Sequence, residues 1–122
     1  MALAKLGVVV LDCPDPRALA GFYAGVLGGM VEEDPADSAW VDLKVPGGTA
    51  LAFQRAEGFV PPEWPAADRS QQFHLDLVVE DLDAAEKGVL ELGAKPLDTQ
   101  DRERTFRVYA DPAGHPFCLC AC

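Results

Sequence analysis

Two halves of this sequence carry the same punctuation. An offset of 66 relates Asp15 to Asp81, Pro46 to Pro112 and Gly48 to Gly114. An offset of 65 relates Gly28 to Gly93, so one single-residue indel lies between the halves. A helix cap, a helix stop and a closing turn therefore recur in the same order. A recurring order satisfies several independent constraints at once, which makes it stronger than any single motif.

Each half reads as strand, helix and three strands. In the first, Lys5 to Asp12 holds the apolar run Gly7-Val8-Val9-Val10-Leu11 of a buried strand. Asp15-Pro16 supplies an N-cap and a first-turn proline. Leu19, Phe22, Tyr23, Val26 and Leu27 then follow at helical spacing up to the stop at Gly28-Gly29. Strands are expected over Gly29–Glu33, Ser38–Val45 and Thr49–Arg55, the last two joined by a Pro46-Gly47-Gly48 turn. In the second half Phe73–Val79 alternates as a strand, and Asp81 caps a helix with the stripe Leu82, Ala85, Val89 and Leu92. Strands over Ala94–Gln100, Glu103–Ala110 and His115–Ala121 complete it, with Pro112-Ala113-Gly114 as the closing turn. The fold implied is α+β: two βαβββ modules forming a curved mixed sheet, helices outside and a concave cavity within. Module one is 1–55, module two 71–122, and the proline-bearing stretch 56–70 links them in a single domain of 122 residues. Phe59 and Trp64 in that linker are expected to pack on the domain or to cover a pocket or a second subunit.

Ten Lys and Arg against twenty Asp and Glu leave a formal charge of −10. Such a surface repels nucleic acid and acidic membranes, and no basic cluster offsets it. No apolar run has the length of a membrane span, and the first residues lack the apolar core of a signal peptide, so a cytoplasmic address is expected. Cys13 stands alone, while Cys118, Cys120 and Cys122 alternate on one face of the last strand, where neighbours are poorly placed to bridge. Free thiols are expected.

Several segments resemble the vicinal oxygen chelate superfamily, specifically a small glyoxalase-like domain of the glyoxalase, bleomycin-resistance and dioxygenase group. They are Asp15-Pro16 through Phe22-Tyr23, Leu27-Gly28-Gly29, the run His74-Leu75-Asp76-Leu77-Val78-Val79 with its following helix, and Asp111-Pro112-Ala113-Gly114-His115-Pro116-Phe117-Cys118. The last is the most specific. Metal-dependent members hold a divalent ion with His, Gln or Glu on the first and fourth strands of each module. Carried onto this sequence, the resemblance puts Val8 and Ala52 at those positions in module one, and His74 and Cys118 in module two. His74 fits; Cys118 stands where the family usually has Glu, and two aliphatic side chains cannot ligate. The positions are read as vestigial, with no metal and no cofactor. The resemblance also implies a homodimer, leaving open whether modules pair within a chain or across it.

The ligand expected is a small molecule in a largely apolar cavity, contacted by Trp40, Gln54, His74, Asp76, Arg107, Tyr109 and Cys118. Trp40 suits stacking on a planar ligand, and Arg107 suits a carboxylate or phosphate. His74 and Asp76 are separated by about 7 Å of strand, too far for a direct hydrogen bond. His115 in the closing turn is expected to be structural or at a cavity rim. Two rival readings remain. One is a lyase, isomerase or dioxygenase with His74 as ligand or general base in a modified His/Cys site. The other is a non-catalytic interaction domain.

Overall fold

The computed structural model describes residues 2–3, 6–66, 68 and 73–121. Two compact units divide the chain, 1–59 and 60–122. The first contains β1 (Val9–Cys13), α1 (Pro16–Leu27), β2 (Met30–Asp34), β3 (Asp37–Lys44) and β4 (Leu51–Arg55). The second contains β5 (Leu75–Val78), α2 (Leu82–Glu91), β6 (Lys95–Asp98), β7 (Phe106–Ala110) and β8 (Pro116–Cys120). The α+β class and the two βαβββ modules are thus the architecture observed. The strands hydrogen-bond as two four-stranded mixed sheets, ordered β1-β4-β3-β2 and β5-β8-β7-β6. In each the first strand runs parallel to the fourth, and the other pairs are antiparallel.

Both helices start as their sequences dictate. The Asp15 carboxylate accepts from the Ala18 amide at 3.2 Å, with Pro16 as the first helical residue. The Asp81 carboxylate accepts from the amides of Asp83 and Ala84. These oxygens satisfy donors that a first turn leaves orphaned. α1 buries Leu19, Ala20, Phe22 and Tyr23. The Tyr23 ring stacks on Phe53 of β4 at 5.8 Å, and both are fully buried. That contact fixes which face of the first sheet turns away from the helix.

Several boundaries differ from the sequence expectation. β1 begins at Val9, with Gly7 and Val8 outside it, and Lys5 lies outside the described residues. β5 begins at Leu75, so His74 precedes the strand. β7 begins at Phe106, because 102–105 form a turn in which Arg102 and Arg104 reach back to Thr99 and Asp98. The chain from Val60 onward, expected to belong to the linker, goes with the second unit. Pro61 fits there against Gly114: a Cβ on Gly114, whose φ is 98°, would come within 2.6 Å of the Pro61 Cβ. Part of the expected linker (Ala67, Arg69 and Ser70), the start of module two at 71–72 and Cys122 lie outside the described residues.

Candidate functional site

Alternation along the strands sorts the candidate residues onto faces. In the second unit Asp76 on β5 pairs with Cys118 on β8, which pairs with Val108 on β7. His74 leaves the chain two residues before Asp76, on the same side, and its imidazole reaches forward. Its Nε2 lies 3.1 Å from Asp76 Oδ1, with the two side chains 36% and 61% exposed. The expectation that strand spacing keeps the pair apart is therefore wrong. His74 sits outside the regular strand, and a long side chain spans the rise between positions.

Cys118 completes a group of three. One ligand atom each from His74, Asp76 and Cys118 lie within 4.8 Å of one another. The Cys118 side chain is buried, and burial first, then the neighbouring Asp76 carboxylate, pushes its thiol up to about 12. Cys13, Cys118 and Cys120 are free thiols.

Arg107 and Tyr109 do not join this group. They pair in register with Leu119 and Phe117, so they occupy the opposite face of the same sheet, under α2. The buried Arg107 guanidinium donates to Asp83 Oδ1 at 3.0 Å and lies 3.6 Å from Glu86 Oε2. The Tyr109 hydroxyl donates to Glu86 Oε1 at 2.8 Å, and its ring stacks on Phe117. Burial, then Glu86, raises the phenol to about 12. These two residues fasten α2 to the sheet. The expectation that they line the ligand face is corrected by the register: odd positions 107 and 109 point away from position 118. Sequence reasoning missed the acidic partners Asp83 and Glu86, although their spacing of three on an amphipathic helix signalled one polar stripe.

In the first unit Trp40 and Gln54 are register partners, as are Asp42 and Ala52, all on the face away from Tyr23 and α1. The Trp40 indole N–H donates to Asp42 Oδ1 at 3.1 Å, which fixes the ring plane. Trp40 and Asp42 join Glu32, Glu33, Asp34 and Asp37 around a recess of about 280 Å³. That recess is acidic, in contrast to the largely apolar cavity expected. Gln54 is exposed, while Ala52 is fully buried. His115 follows Asp111, whose carboxylate accepts from the amides of Ala113 and His115 and closes the last turn.

A protein-family model for the glyoxalase-like domain matches residues 8–120. The chain belongs to that family. Several solved structures share the fold of this glyoxalase-like domain. One is a glyoxalase/bleomycin resistance protein/dioxygenase family enzyme from Burkholderia phytofirmans, 18% identical, covering 95% of this chain and 97% of that one at a TM-score of 0.73. The fosfomycin resistance protein FosX from Mesorhizobium loti is 16% identical, with coverage of 100% and 94% and a TM-score of 0.72. An antibiotic-binding protein from a Streptomyces species, TnmS3, is 17% identical, with coverage of 99% and 98% and a TM-score of 0.62. Among curated proteins, none matches the sequence significantly. Among the described residues no helix is long and apolar enough to cross a membrane.

The metal that the glyoxalase-like fold implies needs donors from both modules. In this domain the two first-module positions are Val8, half-buried, and Ala52, fully buried opposite Asp42. Neither carries a donor atom, so the residues present do not fit the family's usual ion. The second module keeps an imidazole and substitutes a thiol, with Asp76 drawn in beside them.

Proposed function

We propose that this glyoxalase-like domain binds a small molecule and does so without the family's usual metal centre. The observation that carries this reading is the pair Val8 and Ala52, donorless side chains where the family holds its ion. What remains is suited to recognition. Trp40 offers a ring face held by Asp42, Gln54 adds an amide beside it, and His74 with Asp76 forms an exposed polar pair. Relatives of the same fold include an antibiotic-binding protein and a fosfomycin resistance protein, which supports a small, polar-functionalised ligand. We further read the protein as cytoplasmic and homodimeric, with no nucleic-acid or membrane partner, on its acidic charge and family membership.

The test uses chelator-treated protein. Fosfomycin, bleomycin and a panel of related antibiotics are titrated by calorimetry and by thermal shift. Binding that persists in chelator and weakens in Trp40→Ala or in His74→Ala supports the reading. Binding that appears only after a divalent ion is restored refutes it.

A second reading is favoured by one contact. An imidazole 3.1 Å from a carboxylate, beside a thiol, is an oriented base of the kind acid–base chemistry uses. On that reading the domain is a lyase, isomerase or dioxygenase with a modified site. His74→Ala would then abolish turnover with the fold unchanged, and unaltered turnover removes this version.

A further inference from the structure

We propose that His74, Asp76 and Cys118 together bind one divalent cation of the zinc type, in a three-donor site built wholly within the second module. The site uses no atom of module one, and it does not depend on the small-molecule reading. Its origin is the parallel pairing of β5 with β8, which sets Asp76 directly beside Cys118 on one sheet face. His74 closes the group from the residue before β5, where the chain is free of the ladder. No two of the three ligand atoms are more than 4.8 Å apart.

Tetrahedral zinc sites have bonds of about 2.0–2.3 Å, which places neighbouring donors roughly 3.4–3.8 Å apart. The imidazole–carboxylate distance of 3.1 Å is already in that neighbourhood. Bringing in the thiol asks for about 1 Å of side-chain movement, estimated from those bond lengths. The solvent-facing positions of His74 and Asp76 leave room for that adjustment beside the buried Cys118. Soft sulfur with borderline nitrogen selects zinc or cobalt over magnesium and calcium, which take oxygen ligands.

Charge also balances. On binding, the Cys118 thiol gives its proton to the buffer, and thiolate plus carboxylate neutralise the dication with a neutral imidazole as the third ligand. Three protein donors leave the fourth tetrahedral position for water or for an oxygen or nitrogen atom of a ligand. Exposure of His74 and Asp76 keeps that position reachable.

The experiment titrates reduced, chelator-stripped protein with cobalt(II) and then zinc(II). One equivalent of cobalt per chain should bind with a thiolate-to-cobalt charge-transfer band, displaced by zinc and untouched by magnesium or calcium. Cys118→Ser should abolish the band, while Cys13→Ser and Cys120→Ser keep it. His74→Ala and Asp76→Asn, both at exposed positions, should each weaken cobalt affinity at least about tenfold with unchanged far-ultraviolet circular dichroism. These two variants decide the matter even where Cys118→Ser fails to fold. Cobalt affinity equal to that of the parent in both overturns the proposal, as does failure of the parent to bind an equivalent. So does a band that survives Cys118→Ser or vanishes in Cys120→Ser. Because fosfomycin and bleomycin binding is measured in chelator, failure of the cation site leaves that reading standing, and the reverse holds too.

Discussion

Replacing Glu86 by Gln tests how α2 is held to its sheet. The Glu86 carboxylate accepts from Arg102 at 3.2 and 2.9 Å and from the Tyr109 hydroxyl at 2.8 Å, and it faces the buried guanidinium of Arg107. Glutamine keeps the shape and one acceptor but removes the charge. Breaking a fully buried ion pair costs about 3–5 kcal/mol. Glu86 is 18% exposed and Arg107 retains Asp83, so solvent and the second carboxylate reduce the expected loss to about 2 kcal/mol. For a chain of this size that corresponds to a fall in Tm of roughly 8 °C. The pH dependence sharpens the test. Hydrogen bonding from Arg102 first, opposed by burial, and then from Tyr109, holds the Glu86 carboxyl down to about 2 from its ordinary 4.5. A folded value below the unfolded one stabilises fully above the ordinary range, and that stabilisation is lost as pH falls toward 2. Urea denaturation of parent and Glu86→Gln should therefore show the full difference at neutral pH and less than half of it by about pH 3. A difference below about 0.5 kcal/mol, or one that does not change with pH, refutes the reasoning.

Three further outcomes are expected. Gly29 has a φ of 97°, and an added Cβ would run into the Lys44 carbonyl oxygen, so Gly29→Ala should cost about 2–4 kcal/mol in urea melts. Gly114→Ala should cost about 1–3 kcal/mol, because its Cβ would press on Pro61; a parent-like stability would show that 60–66 does not rest on the last turn. In chelator-treated protein near neutral pH, alkylation of Cys118 should be slower than that of Cys120, and Asp76→Asn should speed it by lifting the carboxylate's pressure on the thiol. Mass spectrometry of the labelled protein reads this directly, and an unchanged rate in Asp76→Asn refutes the electrostatic share.

The sequence by itself determined the modular plan. Capping aspartates, helix-stopping glycines and closing turns act within a few residues of themselves, so Asp15 and Asp81 start helices and the Asp111 turn closes β7 onto β8 for reasons visible in one dimension. It also fixed the absence of donors at Val8 and Ala52, since residue type alone decides whether an atom can ligate. Facing was another matter. Arg107 and Tyr109 were legible as a polar alternation, but their direction depends on pairing with Leu119 and Phe117 and on Asp83 and Glu86 waiting above them. Likewise, nothing along the chain brings Cys118 beside His74 and Asp76, which stand only two residues apart. That meeting needs the parallel pairing of β5 with β8 and a side chain released just outside the strand. Periodicity tells which residues share a face; only the packed strands settle which face meets the helix and which donors converge on the other.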